Sequence, residues 1–239
     1  MTPVAGPFGV GVTVTFGNTS SANGNGGLDY SVFDGGYPTL GEIVAEEHLV
    51  SAVQQTGGLI GVARAQKAAE QELKQLRKAG RKNVVKAFDM VIKAINVGEI
   101  NIGLQNVNIE GGLAALRPKL KVVNDLRNNK GKSVYGLTDA PMFPDYLDNG
   151  VQVLKATRNI KINLGVALLN GKPFKGWTGF ELLLFTVVHE LRHWAEKNRS
   201  INLFNGVAAG EKDANACAQL VVTYLTSTNP NKKPVACKQ

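Results

Sequence analysis

Hydrophobic and polar positions along the chain change rhythm several times. Residues 10–16 alternate as a strand does, and residues 17–27 carry the Gly, Ser and Asn of turns. From residue 42 the apolar positions fall at helical spacing. Gly57 and Gly58 interrupt the pattern, which resumes over residues 60–78 with paired charges on its solvated face. Gly80 predicts a break, and Val84, Val85, Phe88, Val91, Ile92 and Ile95 predict a further helix over 83–95. Residues 99–109 alternate weakly and predict a short strand. Residues 113–126 read as helical despite Pro118. Residues 131–150 carry no regular pattern, and 159–168 form a β-like run. Phe180, Leu183, Leu184, Val187, Val188, Leu191 and Trp194 then give a broad apolar face to a helix over 179–197. Thr178 and Glu181 match a capping box at its start. A second helix is predicted from about Ala209 to Leu225, after a turn at Asn205-Gly206.

This pattern divides the 239 residues into a Gly/Ser-rich lead-in (1–41), a mainly helical region (42–130) and a C-terminal region (131–239). The overall class is α+β. Hydrophobic residues make up 44% of the chain and charged residues 19%, a globular composition. The net charge of +8 shows no basic stripe interleaved with aromatics, so no nucleic-acid partner is expected. No apolar run approaches transmembrane length, and the N-terminus lacks the basic start and apolar core of a cleaved signal. The expected location is cytoplasmic, or outside the cell by a route without a cleaved signal. Cys217 and Cys237 are expected to be a small buried residue and a tail thiol, with a single bridge as the alternative.

Two of the chain's three histidines, His189 and His193, flank Glu190 in the order H-E-x-x-H. Helical i, i+4 spacing puts both imidazoles on one face, where they can share a metal ion. Glu190 is placed to take a proton from a water polarised by that ion. A catalytic zinc needs a third protein ligand, and Glu211 on the next helix is the leading choice. Asp213 and the remote His48 are the alternatives. Asn215, one turn beyond Glu211, is suited to fix a histidine tautomer. Ala214 is small enough to let the two helices approach. Tyr135 and Tyr146 are the guesses for an oxyanion donor, whereas the helical phase of Tyr224 turns it away. Trp177 and Trp194 read as core or site-wall residues.

His189-Glu190-x-x-His193 followed by Glu211-x-x-Ala214-Asn215-x-x-Ala218 resembles the gluzincin class of zinc metallopeptidases. It is most similar to ImmA/IrrE-type peptidases and to metallopeptidase domains of bacterial polymorphic toxins. The ImmA/IrrE group usually has glycine where this chain has Arg192, and a longer spacer before the glutamate. The resemblance covers roughly residues 159–225. It implies a zincin-like fold with a small sheet packed on the H-E-x-x-H helix, and zinc held by His189, His193 and Glu211. It also implies Glu190 as the base in peptide-bond hydrolysis, with an extended substrate along the strand at 159–168. The expected partner is a specific protein or peptide substrate. An effector or toxin with an immunity or inhibitor protein is one implied setting. A catalytically silent metal-stabilised binding module and a cytoplasmic regulator-cleaving peptidase are the other readings.

Overall fold

The computed structural model describes residues 59–105 and 107–238. The lead-in strand, the helix start at 42–50 and His48 lie outside the described residues. The first described element is one long helix, α1 (Leu59–Asn96). The break predicted at Gly80 does not occur. A β-carbon there would come within 3.0 Å of the Ala167 side chain, so glycine lets another segment lie directly on α1. That close contact outweighs the helix penalty of glycine, about 1 kcal/mol relative to alanine. Val84, Ala87, Phe88, Val91 and Ile95 form the buried face of α1. Gly98, at φ +76, ends the helix: its N–H bonds Ile95 O and the N–H of Glu99 bonds Ala94 O, a Schellman closure.

Short strands follow: β1 (Ile100–Asn101), β2 (Asn108–Ile109), β3 (Leu120–Val123), β4 (Gly136–Thr138), β5 (Tyr146–Asp148), β6 (Val151–Leu154) and β7 (Ile160–Asn163). The helix predicted over 113–126 is instead a 3-10 turn, Leu113–Lys119, running into β3. Pro118 removes a helical donor, and Leu120 is extended. The β-like run at 159–168 gives only four residues of strand. The Asn163 side chain then accepts from Gly165 N and starts a one-turn helix, α2 (Leu164–Ala167).

Strand order in the central sheet is β3-β7-β4, with β3 parallel and β4 antiparallel to β7. The segment expected to form the open edge, β7, is therefore the middle strand, with Ile160 and Ile162 fully buried. The edges belong to β3 and β4, neither of which the sequence pattern predicted. A second sheet has the order β2-β6-β5. Residues from both sides of position 130 build one core: β3 pairs with β7, and α1 packs with the C-terminal helices.

The central element is α3 (Gly179–Arg192), buried on every side from Leu182 to Arg192. Thr178 occupies its N-cap in extended conformation but makes no side-chain cap bond, so the predicted capping box is not formed. The helix stops five residues earlier than the pattern suggested. Trp194 and Ala195 are wholly buried, and the Trp194 indole donates to Thr138 Oγ1 at 3.0 Å. That burial turns the chain into an unpredicted helix, α4 (Glu196–Asn205). Gly206, at φ +84, then leads into α5 (Val207–Thr226), which packs along α3 through the wholly buried Ala214 and Ala218. Finally β8 (Val235–Ala236) pairs in parallel with β1. Contrary to the expectation of two separate thiols, Cys217 on α5 and Cys237 in the tail form a disulfide. No described helix is long and apolar enough to cross a membrane.

Candidate metal centre

The site lies where the last turn of α3 meets the first turns of α5. His193 is the residue that caps α3, yet its backbone is still helical, so the i, i+4 relation to His189 survives. The two Nε2 atoms face each other at 3.1 Å. Glu211 presents one oxygen to each ring, Oε2 at 3.1 Å from His189 and Oε1 at 3.4 Å from His193. Both imidazoles are buried, while the carboxylate keeps part of its surface in solvent. These three side chains form a buried His-His-Glu group able to hold a metal ion.

The residues fit a cation. Two ring nitrogens and a carboxylate all converge, although the buried Glu211 Oε2 satisfies no hydrogen bond in that position. A cation about 2 Å from each donor of a tetrahedral set holds those donors about 3.3 Å apart. The imidazoles and carboxylate already have that spacing. The donor set, two neutral nitrogens and one oxygen, leaves a fourth position for solvent.

The rings are held from behind. His193 Nδ1 lies 2.8 Å from Asn198 Oδ1 on α4. An Nδ1–H donating to that amide leaves the Nε2 lone pair for a metal. Asn198 is itself fixed, donating to Gly210 O at 2.7 Å and to Asp213 Oδ2 at 2.9 Å. Asp213 accepts a two-pronged bond from the fully buried Arg192, through Nε at 2.8 Å and Nη2 at 3.1 Å. Arg192 also donates to Ile102 O and Lys238 O. Its charge is thus paired and its donors engaged, which a buried ion pair requires. His189 stacks on Phe185. Asn215 sits beside His189 and raises its affinity for a proton, though the Asn215 amide and His189 Nδ1 stop short of a hydrogen bond.

Charges around the centre shape its proton affinities. Burial drags the His193 pKa down, the neighbouring His189 adds to this, and it falls to about 4. Burial also pulls His189 down, but the Glu211 carboxylate close by and the charge of Glu190 outweigh it, so the net shift is upward. For Glu211 burial opposes ionisation, and the closeness of His189 together with both histidine charges more than offsets that. Glu190 is raised to about 8, chiefly by burial, with help from the charges of Glu211 and Asp139. Its carboxylate lies against β4, where the nearby Thr138 backbone N–H partly opposes that rise. The contact exists because position 136 is glycine: a β-carbon there would fall within 2.8 Å of Glu190 Cδ.

Four residues singled out from the sequence therefore meet here: His189, His193 and Glu211 directly, with Glu190 alongside. Asp213, the alternative ligand, is committed to Arg192 instead. Tyr135 is buried, with its hydroxyl 3.5 Å from Lys172 O and its ring edge on Phe174. Tyr146 is on β5 in the other sheet, under Lys155 and influenced by Glu110 and Asp148. Tyr224 lies under Lys232, away from the site. Trp194 is core, and Trp177 packs on Phe185 at the site wall. Sequence reasoning missed Asn198, the Arg192–Asp213 pair and Gly136. The only signal for the second was the charged Arg192 inside an apolar helix.

No family model, curated protein or solved structure matches the chain.

Proposed function

We propose that the chain is a zinc-dependent endopeptidase of gluzincin type, hydrolysing a peptide bond in a protein target. The observation that carries this reading is the convergence of His189, His193 and Glu211 next to a buried carboxylate that no metal-holding role requires. A structural site has four protein ligands and no use for a base; three ligands beside Glu190 suit hydrolysis. Zinc bound there supplies a Lewis acid that makes a water acidic near neutral pH and polarises a carbonyl.

The residues do the remainder. His193, buried and held from behind by Asn198, keeps its Nε2 lone pair bare, and His189 sets its own Nε2 beside it. Glu190, packed against Gly136 of β4, receives a proton at its carboxylate and returns it to the leaving amine. Its high proton affinity suits it to the second half of that task. The open side of β4 suits an extended peptide, which would add as a further strand and pass beside Glu190. That placement replaces the one expected along residues 159–168.

The test is metal content together with casein and self-cleavage, comparing the native chain with Glu190→Gln. One zinc per chain is expected in both proteins, with cleavage by the native chain only. A Glu190→Gln chain that still cleaves removes Glu190 from the mechanism, and a native chain that binds no metal removes the reading altogether.

A further inference from the structure

Away from the metal centre, α4 and the β2-β6-β5 sheet border an open pocket of about 250 Å³. Val107, Val151, Leu154 and Pro144 form its apolar part, and Asn108, Gln152 and Glu196 its polar part. Arg199, only 8% exposed, also lines it. Arg199 Nε meets no hydrogen-bond partner, in contrast to Arg192, each of whose three nitrogens donates. Burial lowers the Arg199 pKa, and the field of Glu196 only partly opposes it. Glu196 is exposed at the mouth of the cavity and forms no ion pair with Arg199 among the described residues. The ten-residue α4 also begins here on Ala195, which provides no side-chain cap, so the positive end of its dipole adds to the guanidinium. A buried cation without a counter-charge is costly, and a planar guanidinium is best satisfied by a two-oxygen anion.

We propose that this cavity binds a small organic carboxylate, its charged end on Arg199 and its apolar body against Val107, Val151, Leu154 and Pro144. Carboxylate is favoured over phosphate by charge balance. Beside Glu196 a phosphate dianion brings twice the negative charge of a carboxylate and is repelled more. The four apolar lining residues favour a ligand with a hydrocarbon part, which inorganic anions lack. This site is independent of the metal and of the proposed hydrolysis.

The experiment titrates isovalerate, isovaleramide and inorganic phosphate into the full chain at low ionic strength, read by calorimetry or NMR shifts. Isovalerate is expected to saturate one site with a Kd at least about tenfold below that of its amide, the margin of a charge-assisted bond. Arg199→Gln should abolish the preference for the acid, and Glu196→Gln should tighten isovalerate binding. Val151→Trp, at a half-exposed position, should block binding by filling the cavity while leaving the circular dichroism unchanged; it decides the matter if the Arg199 variant fails to fold. Equal binding of acid and amide, tighter binding of phosphate, or unchanged isovalerate binding in Val151→Trp overturns the proposal.

Discussion

A metal bound between His189 and Glu211 must displace any proton carried on His189 Nε2, because a cation needs that lone pair bare. The metal-free chain should be sensitive to alkali. His189 and Glu190 both have folded pKa values raised above their unfolded ones. Their contributions to stability are whole below the unfolded pKa, 6.5 and 4.5 respectively, and are lost as pH rises through the folded values, about 8 for Glu190. His193 runs the other way, its contribution whole above 6.5 and lost as pH falls towards about 4. Thermal melts after chelation should therefore show Tm falling between pH 6.5 and 8, and Glu190→Gln should fall less. Zinc should restore more stability at pH 8 than at pH 6.5; a Tm independent of pH over that range would contradict the assignment. Gly136 gives a second residue-scale prediction. Gly136→Ala pushes a methyl group into the Glu190 carboxylate, an overpacking that costs roughly 1–3 kcal/mol. Cleavage should drop at least about tenfold, since small misplacements of catalytic groups are expensive, while zinc stays bound because no ligand is touched. Assaying both on one preparation separates the effects.

At the scale of elements, α3 carries the two imidazoles and α5 the carboxylate, but α4 sets the orientation of His193. Asn198→Ala removes the acceptor behind the ring and should weaken zinc binding about 10–100-fold, measured by competition with a chromophoric chelator. Asn198→Asp keeps an acceptor behind the ring but turns its other oxygen on Gly210 O and Asp213 Oδ2, so it should not restore the affinity. How much of this was legible follows from where the information resides. The i, i+4 pair and the face shared by Glu211, Asn215 and Ala218 are local consequences of helical geometry, so spacing alone exposed them. Asn198 was hidden because its role depends on α3 stopping at Arg192. That stop comes from burying Trp194 and Ala195 against distant residues rather than from a local Gly or Pro. Strand β4 has three residues and no room for a visible alternation, so the sheet edge was assigned to the longer apolar run at β7. Gly80 read as a break because propensity is local, whereas Ala167, its packing partner, is remote in sequence.

The whole molecule is closed by its tail. Beta-strand β8 docks on β1, Cys237 N–H bonds Asn101 O, the disulfide joins Cys237 to Cys217, and Lys238 O accepts from Arg192. No spacing rule announces that return, which is why the cysteines read as separate. Cys237→Ser removes a cross-link of 20 residues' separation, a loop whose closure is worth about 3 kcal/mol. Chemical melts should register a loss of that order, and zinc affinity should fall with it. The link is a continuous line of contacts: Lys238 to Arg192, Arg192 to Asp213, Asp213 to Asn198, Asn198 to His193. If zinc affinity is indifferent to reductant, the line transmits nothing. Otherwise, glutathione and its surroundings become part of the chemistry. In a thiol-rich compartment the metal centre would be loosely assembled and give up its ion readily, and the same polypeptide would tighten its hold only on reaching oxidising territory.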